Sequence, residues 1–423
     1  VGTFSAAART MTEERCFGRR RRRCRRAERY QTSSRFGAPH RAARTGAEPM
    51  RSNCLSSPRS RLCRSLRFIV AFAAERSPTT SLRDSRVVAR MPTDAAPRCV
   101  AYDDTRTACV VGTAAGEIVF RERASSASAL DAAAVEDHSK PSASPWTRQA
   151  SARAADDTSA IVDIALSDAA HGRVIAAATA SGEVSFWRAS ASGDSNGTPR
   201  VERVGLVRVE GGAKARCVAF APSHDALTLA AACDDGVVRF YEPREKLTAT
   251  AWESTLEFEG KKPGGDATAL AWRRSSERTS AVNVPILAVG TTWTSEARHG
   301  VSVLAYDEKF RRWNVVTEME DGLTTSARHL AWSATTTARG ALNLVVASGS
   351  KCLVYEFTGV VVRGVEDAKQ IGRLDHPCEV NSAEWNASGS VIATAAADGV
   401  VRLWSANLKD GTWREQTMGQ TMQ

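Results

Sequence analysis

A short pattern of strands and turns that recurs along the chain constrains its fold more than any other feature. The clearest copy lies at residues 379–407 and reads EVNSAEWNASGSVIATAAADGVVRLWSAN. Three short apolar runs are separated there by Asn386-Ala387-Ser388-Gly389 and by Asp398-Gly399, both of which are typical turn sequences. The third run alternates between two faces and ends at Trp404. This order of strands and turns is typical of one blade of a β-propeller.

Six copies of this pattern occur in the chain. Each ends in an aromatic residue, and these are Phe120, Trp187, Tyr241, Tyr306, Tyr355 and Trp404. The last three aromatics are 49 residues apart, close to the ~40–45 residues of a WD repeat. Polar inserts account for the longer steps, and they lie at residues 124–155, 189–200, 259–265 and 291–300. We therefore predict an all-β fold, a six-bladed WD-repeat β-propeller that occupies residues 86–413.

The charge of the chain divides it into two parts. The whole chain carries a formal charge of +10, whereas residues 1–90 contain 22 Arg, no Lys and six acidic residues. The remainder is therefore mildly acidic. We predict that residues 1–85 form a disordered basic leader, since they contain no sustained apolar period. Residues 414–423 are predicted to be a short polar tail.

Three interpretations of the leader remain open at this stage. The run of arginines at residues 19–26 could bind nucleic acid or anionic lipid. A basic stretch from Met50 onward, followed by the apolar run at residues 68–74, could act as a targeting segment. Alternatively, much of the leader could be non-native, because the sequence starts with Val rather than Met.

No sequence motif for catalysis or for a cofactor is found. The chain contains no P-loop, no Rossmann fingerprint, no H-E-x-x-H and no paired cysteines with zinc-ligand spacing. The G-x-S-x-G match at residues 193–197 lies in a polar stretch without a following helix pattern, so we interpret it as a loop. We expect no catalytic, cofactor-binding or metal-binding residue, and no enzyme activity. The rival hypothesis is a propeller hydrolase with its site in the central channel.

Several individual residues have structural interpretations. We expect hydrogen-bonding roles for three histidines, His171, His224 and His376. Core or inter-blade packing is expected for Trp272, Trp332 and Trp385. Buried hydrophobic roles are expected for Cys109, Cys217 and Cys233. Asn196 and Asn386 begin glycosylation sequons, which matter only in a secreted chain. The longest apolar runs are too short for a membrane span.

Three passages, the second of them in two parts, resemble a known group of proteins. Residues 218–243, 270–293, 304–314 and 385–413 resemble the Seh-one/Sec-thirteen group of WD-repeat proteins, and within it the Seh-one nucleoporins. The resemblance covers residues 86–413. The Trp-Asp dipeptide of the repeat is absent throughout, and the first two copies are divergent and Ala-rich.

The resemblance implies an open six-bladed propeller that a partner completes. An α-solenoid nucleoporin would donate the strands of a seventh blade. The assembly would include other coat nucleoporins and belong to the Y-shaped outer-ring coat of the nuclear pore complex at the nuclear envelope, supporting transport of protein and mRNA.

It also implies a coatomer-like complex on vacuolar or lysosomal membranes that regulates nutrient and growth signalling. No small-molecule substrate, specific nucleic acid or transmembrane span is implied. Two alternatives are a Sec-thirteen-type vesicle-coat propeller and a generic closed WD-repeat adaptor.

Overall fold

The fold is seen in a computed structural model. It describes residues 95–105, 107–123, 146–154, 159–190, 199–222, 226–259, 265–274, 284–293, 298–335, 337, 341–358, 367–407 and 411–416. The described residues form 24 strands in six four-stranded antiparallel sheets, which we call blades 1 to 6. The predicted all-β propeller with six blades is confirmed. The leader and the beginning of the predicted domain lie outside the described residues.

The four strands of each blade follow one another in the sheet in chain order. Blade 1 contains β1 (Pro97–Tyr102), β2 (Ala108–Thr113), β3 (Glu117–Arg123) and β4 (Trp146–Arg153). Blade 2 contains β5 (Ile161–Leu166), β6 (Val174–Thr179), β7 (Glu183–Ser190) and β8 (Arg200–Arg208). Blade 3 contains β9 (Ala215–Phe220), β10 (Leu229–Cys233), β11 (Val237–Glu245) and β12 (Thr250–Glu259).

The second half of the chain repeats this arrangement. Blade 4 contains β13 (Gly265–Trp272), β14 (Ile286–Trp293), β15 (Arg298–Asp307) and β16 (Arg312–Met319). Blade 5 contains β17 (Ala327–Trp332), β18 (Leu342–Ser348), β19 (Lys351–Thr358) and β20 (Asp367–Asp375). Blade 6 contains β21 (Val380–Trp385), β22 (Val391–Ala396), β23 (Val401–Ala406) and β24 (Trp413–Gln416). Two short 3-10 turns lie at Ala169–His171 and Glu210–Gly212.

The second and third strands of the blades form the hairpins that the sequence predicts. Their turns contain Gly116, Gly182, Gly236 and Gly399, all of which have a positive φ between 77° and 90°. Such a backbone conformation is costly for residues with a Cβ and easy for glycine. The second strands are small and β-branched, and they are almost completely buried. This composition suits a strand that is covered on both faces.

Two of the predicted inserts require correction. The polar stretch at residues 124–155 is predicted as a loop, yet β4 occupies Trp146–Arg153 within it. The stretch at residues 291–300 is predicted as an interruption, yet β14 extends to Trp293 and β15 begins at Arg298. In both cases pairing with a neighbouring strand stabilises residues whose own sequence is polar or Gly-containing.

Consecutive blades pack face to face through five apolar clusters. The first strand of each blade contacts the first strand of the next, so β1, β5, β9, β13, β17 and β21 form the innermost layer. Tryptophans of the outermost strands add contacts farther out. Trp252 of blade 3 stacks on Phe186 of blade 2 at 3.8 Å between ring centroids, and Trp313 of blade 4 stacks on Phe240 of blade 3 at 4.8 Å.

The ring is open between blade 6 and blade 1. Within the part of the chain that the structure describes, β21 and β1 make no contact comparable to those between consecutive blades. The described residues also include no helix long and apolar enough to cross a membrane.

Candidate interaction surface on the open side of the ring

The six innermost strands have equivalent positions, so residues at the opening can be compared with residues at the interfaces between consecutive blades. Each innermost strand places its last-but-one residue on the face that points to the next blade. In blades 1 to 5 this residue is alanine, at Ala101, Ala165, Ala219, Ala271 and Ala331. In blade 6 the same position holds Glu384. The only blade of the six without a following blade therefore carries a carboxylate at this position.

The carbonyl oxygens at this position are acceptors for the next blade. The indole Nε1 of Trp272 donates to the Ala219 carbonyl oxygen at 3.0 Å, and Trp332 donates to Ala271 at 3.0 Å. Trp385 donates to Ala331 at 3.1 Å. These bonds confirm that the three tryptophans have an inter-blade role. None of the described tryptophans reaches the carbonyl oxygen of Glu384 in this way.

Blade 1 shows the other side of the opening. In each innermost strand, the residue two positions before the last one faces the preceding blade. In blades 2 to 6 this residue is at most 8% exposed. These residues are Ile164, Val218, Leu270, Leu330 and Ala383. Their counterpart in blade 1, Val100, is only half-buried. The exposure of Val100 and Glu384 marks the two edges of the opening.

The two blade faces that border the opening, which we call its walls, are less exposed in their outer strands than in their innermost strands. In blade 6, Ala393 is 4% exposed and Leu403 is fully buried. In blade 1, Val111 is 6% exposed and Val119 is 2% exposed. The accessible part of each wall is therefore its innermost strand, β21 on one side and β1 on the other. We call these two strands, with their exposed side chains, the seam.

Side chains next to the seam hold blade 5 and blade 6 together. The Arg328 guanidinium donates to the Asn381 side-chain oxygen at 3.0 Å and forms an ion pair with Glu379. The His329 ring contacts the Ala383 carbonyl oxygen through Nδ1 at 3.0 Å. On its other nitrogen, His329 lies 3.6 Å from a carboxylate oxygen of Glu384. The Glu384 side chain remains 60% exposed.

Behind the seam, a buried chain of hydrogen bonds joins blade 6 to the end of blade 5. Trp404 donates to the Thr394 hydroxyl at 2.9 Å, and this hydroxyl lies within hydrogen-bond distance of Nε2 of His376 at 2.8 Å. Nδ1 of His376 then donates to the Leu374 carbonyl oxygen at 3.1 Å. Burial lowers the pKa of His376 below its usual 6.5, which favours the neutral ring. The predicted structural role of His376 is confirmed.

A repeated ion pair supports the hairpins of blades 3 and 6. Arg402 lies 2.6 Å from Asp398, and Arg239 lies 2.7 Å from Asp235 at the same position of its blade. Burial raises the pKa of each carboxyl, but hydrogen bonds from the arginine and from a backbone N–H outweigh burial and lower it below 3.8. Both pairs follow the Asp-Gly turn that the sequence identifies.

The other predicted residues do not assemble into a site. Nε2 of His171 is buried and finds no hydrogen-bond partner among the described residues, so its predicted structural bond is not seen. Cys109 and Cys233 are completely buried, which confirms their hydrophobic role, and burial raises the pKa of their thiols to about 12 and about 11. Cys217 is half-buried. Asn386 accepts the N–H groups of Ser390 and Val391 within its own turn.

The described region contains no group of three or more His, Cys, Asp or Glu residues that could hold a metal ion. The G-x-S-x-G match, His224 and the sequon at Asn196 lie outside the described residues. Sequence reasoning missed Glu384 and Val100. An alignment of the six innermost strands would have found Glu384, since the other five strands have alanine there.

Comparisons with known proteins agree with the repeat pattern. The family model for the WD domain, G-beta repeat, matches residues 368–405. The chain is similar to Seh1 nucleoporins. It is 30% identical to nucleoporin SEH1 of Bos taurus over 206 residues, which cover 47% of this chain and 54% of the relative. Identity is 29% over 205 residues with the Drosophila melanogaster protein, covering 47% and 53%.

The matches to these relatives are partial. The Homo sapiens nucleoporin SEH1 is 29% identical over 205 residues, which cover 47% of this chain and 54% of the relative. The chain thus spans about half the length of the curated relatives it matches. Among solved structures, a crystal structure of the mitotic checkpoint complex matches with a TM-score of 0.48 and 12% identity, covering 75% of this chain and 77% of that chain. A match at this level carries no argument about function.

Proposed function

We propose that this chain is a non-enzymatic scaffold subunit of the nuclear pore complex, in its Y-shaped outer-ring coat at the nuclear envelope. Its partner is an α-solenoid nucleoporin that donates the strands of a seventh blade. In this role the chain supports transport of protein and mRNA. The observation that carries the proposal is the seam. The similarity to Seh1 nucleoporins supports the choice of assembly.

The physical argument starts from the two strands at the seam. An innermost strand that lacks a neighbouring blade leaves apolar side chains and backbone groups accessible to water, which favours association with another chain. Val100 is half-buried where its five counterparts are buried. Strands inserted between β1 and β21 would cover it and supply hydrogen-bond partners, as in other cases of recognition by added strands.

The alternatives are weaker on the same observations. A closed WD-repeat adaptor requires β21 and β1 to pack as the other innermost strands do, and the described strands lack that contact. The relatives named above are Seh1 nucleoporins, which supports the Seh-one branch over a Sec-thirteen-type vesicle coat. The coatomer-like role on vacuolar or lysosomal membranes stays a prediction from the resemblance.

A charge placed on either seam strand tests the proposal. We expect Val100→Arg and Ser382→Arg to reduce recovery of the α-solenoid partner at least about tenfold, since a cation buried against an apolar or small residue is costly. The measurement is quantitative co-purification of the tagged full chain from cells. Leu247→Arg is the matched control, because Leu247 is 95% exposed on a blade 3 turn away from β1 and β21.

Three results would contradict the proposal. In the first, the unaltered chain behaves as a soluble monomer and recovers no pore-coat component. In the second, both seam variants recover the partner as well as the control does. In the third, the far-ultraviolet circular dichroism of the full chain shows dominant helix rather than strand, which would remove the ring on which the seam depends.

A further inference from the structure

We infer that the strand that docks against β21 presents a basic side chain, arginine or lysine, to the carboxylate of Glu384. The inference rests on the proposed function, since it describes the chemistry of the partner at the same seam. It is carried by a difference between blade 6 and the other five blades at one position of the innermost strand.

The first step of the argument is the environment of this position when a blade follows it. Ala165 is 7% exposed, Ala271 is 8% exposed and Ala331 is 7% exposed, and each of them lies in a cluster with the next blade. A docked seventh blade would place the β carbon of Glu384 in the same kind of environment. The carboxylate of Glu384, now largely in water, would then lose much of its hydration.

The second step is that this chain supplies no strong counter-charge. Arg328, which precedes His329 on β17 of blade 5, is engaged by Glu379 and Asn381. His329 approaches Glu384 only to 3.6 Å, and its other ring nitrogen contacts the Ala383 carbonyl oxygen. Within the described residues, no lysine or arginine forms an ion pair with Glu384. A carboxylate covered by a partner needs a cation or several hydrogen-bond donors, so the incoming strand must provide them.

The third step concerns the opposite wall of the seam. Its innermost strand, β1, carries the half-buried Val100 and the exposed Arg98. β1 and β21 are not packed together in the described part of the chain, and no ion pair joins Arg98 to Glu384 there. A docked seventh blade would lie between these two strands, so the cation for Glu384 would come from the partner strand that pairs with β21.

The experiment uses the full chain co-expressed with the α-solenoid nucleoporin that it recovers, and it measures the affinity of the purified complex. We expect Glu384→Lys to weaken binding at least about a hundredfold and Glu384→Gln to weaken it about tenfold. Glu308→Lys is the matched control, since it makes the same charge change on an exposed turn of blade 4. In the partner, reversal of one basic residue in the docked strand to glutamate should restore binding to Glu384→Lys.

The outcomes separate this inference from the proposed function. If the unaltered chain binds the partner and all Glu384 variants bind equally well, the inference is wrong and the proposed function stands. If the unaltered chain binds no α-solenoid nucleoporin, both are wrong. Rescue of Glu384→Lys by a single charge reversal in the partner supports both. Because Glu384 is exposed in the unbound chain, the variants should fold, and circular dichroism checks this.

Discussion

At the scale of single residues, blade 6 is joined to the end of blade 5 by a buried histidine whose neutral form is favoured. His376 accepts a hydrogen bond from Thr394 and donates one to the Leu374 carbonyl oxygen, so both ring nitrogens are used. Protonation would make Nε2 a second donor, and the Thr394 hydroxyl would then have to turn its own proton to the more distant Arg402 carbonyl oxygen at 3.5 Å. Burial lowers the pKa of His376 for the same reason, since the interior disfavours the charged ring.

This histidine predicts a pH dependence of stability. Since its pKa is lower in the folded state than in the unfolded state, its contribution is complete above about pH 6.5 and is lost as the pH falls through the lowered folded-state pKa. His376→Phe should lower stability by about 1–3 kcal/mol at pH 7.5, because it leaves the Leu374 carbonyl and Thr394 without this partner. It should also reduce the loss between pH 7.5 and 5.5, as measured by urea unfolding.

The control for this measurement is His299→Phe. His299 is half-buried in β15, and its ring makes only a long contact of 3.4 Å with Thr292. An equal loss of stability on acidification in His376→Phe and in the unaltered chain would show that another group carries the pH dependence.

At the scale of elements, glycines in the outermost strands make room for tryptophans of the next blade. A Cβ built on Gly205 would lie 2.6 Å from a ring carbon of Trp252, and one on Gly372 would overlap the indole of Trp413. Trp252 stacks on Phe186, and Trp413 packs edge-on against Trp385. In the outer strands, a glycine on one blade thus leaves the space that a tryptophan of the next blade fills.

A methyl group added at these glycines should separate neighbouring blades. Gly205→Ala and Gly372→Ala should each reduce the free energy of unfolding by about 1–3 kcal/mol, because the indole must leave its packed position. Urea unfolding followed by tryptophan fluorescence measures the change. Lys369→Ala, an exposed change on the same strand as Gly372, should have little effect. Unchanged stability in both glycine variants would contradict this account of the outer contacts.

The strands that the sequence predicts and those that it misses differ in a physical way. The inner three strands of each blade are revealed by apolar runs and by turns such as Asp235-Gly236, which act locally. The outermost strands, such as β8 with RVERVGLVR, are half polar because one edge faces water. The role of Glu384 depends on the blade that does not follow it, so only comparison with the five alanines reveals it.

At the scale of the whole molecule, the seam leaves the innermost strands of two blades packed on one side only. Blades 2 to 5 are packed on both faces, whereas β1 and β21 lack one of these contacts. In repeat architectures, stability is approximately a sum of the intrinsic stabilities of the units and of the interfaces between neighbours. Blades 1 and 6 should therefore open more readily than blades 3 and 4.

Hydrogen exchange measures this difference directly. In the isolated chain, amides of β2 and β22 should exchange faster than those of β10 and β14, although all four strands occupy the same place in their blades. Addition of the α-solenoid partner should slow exchange in β2 and β22 and leave β10 and β14 nearly unchanged. Uniform protection of all six blades in the isolated chain would contradict an open ring.

The seam also links the cellular lifetime of this chain to the supply of its partner. A partner that binds only the folded ring stabilises it by an amount that grows with free partner concentration, about 2.7 kcal/mol at a hundred times Kd. Surplus copies would keep fraying at blades 1 and 6, and proteases act on such opened states. Degradation of the surplus would then match the two subunits in number without a separate regulator.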